Sequence, residues 1–165
     1  MSLYDEYESY LLKYRSEYGE NTIVFYNSGS FYEIYSIDDG LVNMKHICEL
    51  LNIQMSKRNK SIKEVNKSNS LMAGFPVYAL QKFVNILVSN NYTVVIVDQI
   101  SPPPKPKRGV TSIVSPGTDI NNLNNFEANN IVCLCIEKNI DFKTKTELVT
   151  VGMSSVDLST GKSKI

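Results

Sequence analysis

The chain has 165 residues, 42% of them apolar, and its 17 basic and 17 acidic side chains leave no net charge. That size and composition suit one ordinary globular domain, or one domain plus part of another. They exclude a global field that would draw the molecule onto nucleic acid or anionic lipid, so any such binding must come from local charge.

Ser2 to Tyr18 is the first predicted helix. Tyr4, Tyr7, Tyr10, Leu11, Tyr14 and Tyr18 recur at three- and four-residue steps and form one aromatic face. Ser2 suits the N-cap, Asp5 and Glu6 suit the helix dipole, and Gly19 ends the helix. A tyrosine stripe at this spacing is a packing face. The acidic, tyrosine-rich start has no apolar signal core, and no run reaches membrane-spanning length. An intracellular, reducing compartment and no membrane are the expectation.

Thr22 to Tyr26 and Phe31 to Tyr35 are β-branched or aromatic and flank the turn formers Asn27-Ser28-Gly29-Ser30. They predict a hairpin. Alternation places Phe31 and Glu33 on one face, with Tyr32 and Ile34 on the other. A bare ring beside a carboxylate is what reading an exposed base needs, because one stacks and the other hydrogen-bonds. By residue type alone the pair also reads as a core phenylalanine and a solvated edge charge, with the glycine only making the turn.

A second helix is expected from about Asp39 to Leu51, with Leu41, Met44, Ile47, Cys48 and Leu51 buried and Asp38-Asp39 at its start. Ile53 to Lys57 is a short strand. Residues 59–70 form a polar loop with too few apolar side chains to hold its own shape. Leu71 to Ala73 is a strand running into the turn Gly74-Phe75-Pro76. Tyr78 to Val88 is a third helix, and the β-branched run Thr93 to Val97 suits a central strand covered on both faces. Pro102-Pro-Pro104-Lys-Pro106 is a stiff extended loop. Gly109 to Val114 is another strand.

Two basic runs, Lys57-Arg58-Asn-Lys60 with Lys63 and Lys67, and Lys105-Pro-Lys107-Arg108, are either solvated loops or phosphate contacts. The Asn-rich stretch 119–130 is a linker. Ile131 to Ile136 and Leu148 to Leu158 are two strands, and a third begins at Gly161. Cys133 and Cys135 share a face of the first as small hydrophobes, and with Cys48 and the single His46 they lack disulfide or metal spacing. The fold expectation is α/β with an α+β-like arrangement: a mixed β-sheet packed by about three helices, followed by a truncated, β-rich start of a second domain.

Five segments in order carry a family resemblance. Tyr26-Asn-Ser-Gly29-Ser-Phe31-Tyr-Glu33 resembles the Phe-Xaa-Glu segment of the MutS family of DNA mismatch repair proteins. Ile53-Gln-Met-Ser-Lys57-Arg58, Met72-Ala-Gly74-Phe-Pro76, Val97-Asp-Gln-Ile100 and Ile113-Val-Ser-Pro-Gly-Thr118 are similar to its later motifs. The resemblance covers about residues 4–118, the family's N-terminal mismatch-recognition domain, and Val151 to Lys162 is similar to the opening of the connector domain. Domains are thus expected at 1–118 and 131–165, with a linker at 119–130.

The resemblance implies a partner and a site. The partner is double-stranded DNA with mismatches or small unpaired loops. Phe31 would be the wedge and Glu33 the hydrogen-bonding acid; Lys57 and Arg58 would lie near the backbone. Met72, Gly74, Phe75 and Pro76 would border the minor groove. Tyr78 stands where the family has histidine, and Asn27-Ser28 and Ser30 stand where it has Arg-Met and Asp. The chain contains no Gly-Xaa4-Gly-Lys-Ser/Thr phosphate loop. ATP, Mg and dimerisation are therefore expected of other parts of a parent protein, with no catalysis or cofactor here. Two alternatives stand beside this reading. One is a MutS relative that binds other DNA structures or protein partners. The other is a metal-dependent nuclease using Asp38, Asp39, Asp98 and Glu33.

Overall fold

The computed structural model describes residues 2–37, 41–102, 106–118 and 130–165. They form two compact units, Met1–Pro116 and Gly117–Ile165. Among the described residues no helix is long and apolar enough to cross a membrane.

The first unit opens with α1 (Leu3–Tyr18). Its start is a capping box in which the Ser2 hydroxyl accepts from the Asp5 amide and the Asp5 carboxylate accepts from the Ser2 amide. Tyr4, Tyr7, Leu11 and Tyr14 are buried, as the tyrosine spacing predicts. Next come β1 (Thr22–Ser28), β2 (Phe31–Ser36), α2 (Met44–Leu51), β3 (Ser56–Lys57) and β4 (Leu71–Pro76). A 3-10 turn (Val77–Ala79) leads into α3 (Leu80–Ser89), followed by β5 (Thr93–Gln99) and β6 (Arg108–Val114).

The six strands make one mixed sheet in the order β3-β4-β2-β1-β5-β6. Only β1 and β5 run parallel; the other neighbours are antiparallel. Tyr7 of α1 packs against Tyr26 and Tyr35, while Phe83 of α3 packs against Phe75, which also meets Phe25. Tyr26 and Phe25 are sequence neighbours on one strand and point to opposite faces. Helix α1 therefore covers one face and α3, with α2 beside it, covers the other. Doubly covered, β1 is buried from Thr22 to Asn27 and β5 from Thr93 to Val97.

Several expected boundaries shift. Helix α2 starts at Met44, because the Asn43 side chain accepts from the His46 amide and caps it there; Leu41 is exposed. Asp38 and Asp39 lie outside the described residues. The strand expected over 53–57 is reduced to Ser56–Lys57. Gly74-Phe75-Pro76 is not a turn: β4 pairs with β2 along its whole length, from Ser36↔Leu71 to Phe31↔Pro76. Helix α3 begins two residues later than expected, after the 3-10 turn.

The loop 59–70 does hold a shape, through one buried amide. Asn69 is 1% exposed. Its side chain accepts from the Asn59 amide at 2.7 Å and donates to the carbonyls of Glu64 at 2.8 Å and Ile62 at 3.4 Å. Lys67 ties the loop to α1 through Glu8 and Asp5.

Arg108 stands apart from its basic run, for which a solvated loop and phosphate contact are the two readings. Its side chain is 15% exposed. Its Nε donates to the Asn27 carbonyl at 3.1 Å, and its guanidinium lies 4.7 Å from the Tyr26 ring centroid, near Glu6. The Tyr10 hydroxyl donates to the Arg108 carbonyl at 3.0 Å. An arginine from β6 thus clamps the end of β1 to α1. Lys107 is exposed, and Lys105 lies outside the described residues.

The second unit is a separate antiparallel sheet of β7 (Asn130–Ile140), β8 (Glu147–Asp157) and β9 (Ser163–Lys164). Cys133 and Cys135 are free and exposed, as are Ile131, Leu134 and Ile136 on the same strand.

Two consequences are testable by urea unfolding. Asn69→Ala strands three backbone groups and costs about 1–3 kcal/mol, with faster proteolysis inside 59–68. Arg108→Met loses the carbonyl bond and the ring contact and costs about 1–3 kcal/mol; Arg108→Lys restores little, lacking the planar guanidinium.

Candidate nucleic-acid interface

The hairpin loop is only Gly29-Ser30, since Ser28 pairs directly with Phe31. Gly29 adopts φ +63°, a conformation that L side chains rarely take. The tight reversal puts Phe31 at the very start of β2, beyond the cover of α1. Its ring is 47% exposed, whereas Tyr32, Ile34 and Tyr35 are buried.

Glu33 is half-buried on the same face, flanked by Tyr26 on β1 and Gly74 on β4. Phe31, Glu33, Met72 and Gly74 line an open groove of about 340 Å³ together with Gln54 and Ser56. Gln54 and Ser56 were not singled out from sequence. The pairing of β3 with β4, Ser56 with Met72 and Lys57 with Leu71, brings that segment to the groove.

Glu33 is held from below. The Tyr35 hydroxyl donates a hydrogen bond to Glu33 Oε2. Burial pushes the Tyr35 pKa up, the bond to Glu33 pushes it further, and the positive charge of Arg58 offsets part of the rise. At neutral pH Tyr35 keeps its proton and is the donor.

The other expected residues fall into three groups. Lys57 ends β3 next to Ser56 and Arg58 begins the loop beyond it; Arg58 is exposed, and Lys57 Nζ donates to the Lys63 carbonyl at 3.4 Å. Pro76 lies opposite Phe31, and Tyr78, 88% exposed, stands in the 3-10 turn that follows. Phe75 differs from the expectation of a groove-bordering residue: its ring is 2% exposed and wedged among Phe25, Phe83 and Tyr32. It supports the site from within the core.

The acids of the nuclease alternative do not converge. Asp98 Oδ1 accepts from the Tyr32 hydroxyl at 2.5 Å, and its other oxygen accepts from Thr111, the bulge residue of β6. Tyr32 and Glu33 are consecutive in a strand, so Asp98 lies on the face opposite Glu33. Asp38 and Asp39 fall outside the described residues.

Gly74 is where a side chain cannot fit. A Cβ there would stand 2.9 Å from the Tyr32 carbonyl oxygen and 3.2 Å from Glu33 Cγ. Gly74→Ala is expected to push β4 from β2 and to displace Glu33. The cost is about 1–3 kcal/mol, read as a lower urea midpoint at unchanged slope.

Comparison with known proteins places this geometry. A family model for MutS domain I matches residues 7–122. A mutS homologue of Acanthamoeba polyphaga mimivirus is 33% identical over 162 residues, 97% of this chain and 14% of that protein. The DNA mismatch repair protein MutS of Lactococcus lactis subsp. cremoris (strain MG1363) is 33% identical over 159 residues, 93% of this chain and 16% of that protein. That of Leuconostoc mesenteroides subsp. mesenteroides is 32% identical over 156 residues, 91% and 16% respectively. The chain thus spans about one-seventh of the length of these relatives. It belongs to the MutS family, and residues 7–122 are its domain I.

Proposed function

We propose that the first unit binds double-stranded DNA at a mispaired or unpaired base, with Phe31 as wedge and Glu33 as base acceptor. The observation that supports this most directly is the half-exposed Phe31 ring beside the half-buried Glu33 carboxylate, at the rim of an otherwise buried sheet.

The physics of discrimination follows from deformability. Inserting a ring from the minor groove unstacks a base step and kinks the duplex, which costs a few kcal/mol. A mispaired base has already lost part of its stacking and pairing, so the same intrusion costs less there. Glu33 adds a second filter. A carboxylate near phosphates is repelled by any duplex, and only a displaced base that donates a hydrogen bond offsets that repulsion.

The remaining residues position the duplex. Lys57 and Arg58 would contact phosphates, which fix register without reading sequence. Met72, Gly74 and Pro76 would line the groove edge, with Tyr78 beside them. Phe75 would contribute only by holding β4 against the core. Nucleotide hydrolysis and dimerisation, within this reading, belong to sequence outside this segment.

Binding of the intact protein to a G·T or unpaired-T duplex is compared with a matched duplex at one stated low salt. Phe31→Ala is expected to remove about 1–3 kcal/mol of defect binding, roughly 5- to 150-fold, with little change for matched DNA. Being half-exposed, the ring contributes little to folding, so the unfolding midpoint should barely move. Equal binding to both duplexes, unaffected by the substitution, would overturn the proposal.

A further inference from the structure

We infer that Tyr35 is a positioning residue for base recognition: its hydroxyl, donated to Glu33 Oε2, sets the carboxylate toward the groove. This inference rests on the reading of Glu33 given above.

Tyr35 is two residues beyond Glu33 on β2, so the two side chains share a face. The ring of Tyr35 is 2% exposed. It packs edge-on to Tyr7 at 5.3 Å and to Tyr26 at 6.3 Å between centroids. A phenylalanine would fill that place equally well. What tyrosine adds is the hydroxyl, and that hydroxyl reaches Glu33.

The geometry gives the bond a direction and a use. A carboxylate on a two-methylene arm rotates freely unless something holds it. Here a donor anchored in the core holds one oxygen, and among the described residues no hydrogen-bond donor takes the other. Gly74 leaves the space beside Glu33 Cγ open, and the groove lies over it. The held carboxylate therefore meets a base with one acceptor already aimed, and less freedom is lost on binding.

A double-mutant cycle tests this, with defect preference as the readout. The intact protein is compared with Tyr35→Phe, Glu33→Ala and the double variant on a mismatched and a matched duplex, with unfolding midpoints measured in parallel. Tyr35→Phe is expected to lower the preference about two- to tenfold, the weight of one net hydrogen bond. In the Glu33→Ala background the same change is expected to do nothing further. A merely structural tyrosine would lower binding by the same factor in both backgrounds, and that result overturns the inference. So does an unchanged preference in Tyr35→Phe when Glu33→Ala has a clear effect. No effect of Glu33→Ala itself would instead overturn the reading of Glu33 on which the inference stands.

Discussion

Tyr7, with no surface exposed, packs edge-on against Tyr26 and Tyr35, and this three-ring contact decides where the sheet is open. It seats α1 across β1 and β2 as far as Tyr35. The next residues outward on that face are Glu33 and then Phe31, which emerge progressively from half-buried to half-exposed. A groove forms because the cover of the helix ends at Tyr35 and leaves the first residues of the strand on that face, Glu33 and Phe31, open. Aromatic burial of this kind also contributes a large share of the folding free energy.

The proposed role of Phe31 as a wedge calls for a stiff mount. Strand β2 is paired on both edges, with β1 and with β4, and packed on both faces at Tyr32, Ile34 and Tyr35. Two further braces act on the hairpin. Arg108 holds the carbonyl of Asn27, two residues before Gly29, and the Ser30 carbonyl accepts from the Val77 amide at 3.0 Å. Arg108 comes from β6, and its side chain is mostly covered. Its cation lies over Tyr26, so the same contact steadies the ring on which α1 rests.

Charge is organised locally within a neutral chain. Lys67 is engaged by Glu8 and Asp5, and Arg108 is turned inward, which removes both from any surface patch. Lys57 ends β3 beside Ser56, and Arg58 opens the loop that follows. That loop is kept in shape by the buried amide of Asn69 rather than by apolar packing.

Much of this was legible in the sequence because it depends on short-range periodicity. The tyrosine stripe of α1, the hairpin with its glycine, the sharing of one face by Phe31 and Glu33, and the β-branched run of β5 all follow from spacings of two and 3.6 residues. The family motifs were legible as a resemblance of short segments in order, not through periodicity. What sequence did not contain were choices made between distant segments. Gly74 to Pro76 became strand because β2 offered hydrogen bonds along its full length. Phe75 went inward because Phe25 and Phe83 converge on it from other elements. Arg108 left its basic run because a carbonyl 81 residues earlier lay within reach, and Asp98 was drawn to the face opposite Glu33 by Tyr32 and Thr111. Local pattern fixed which face each side chain takes. Tertiary packing decided which part of that face stays open, since exposure depends on what the rest of the chain lays over it.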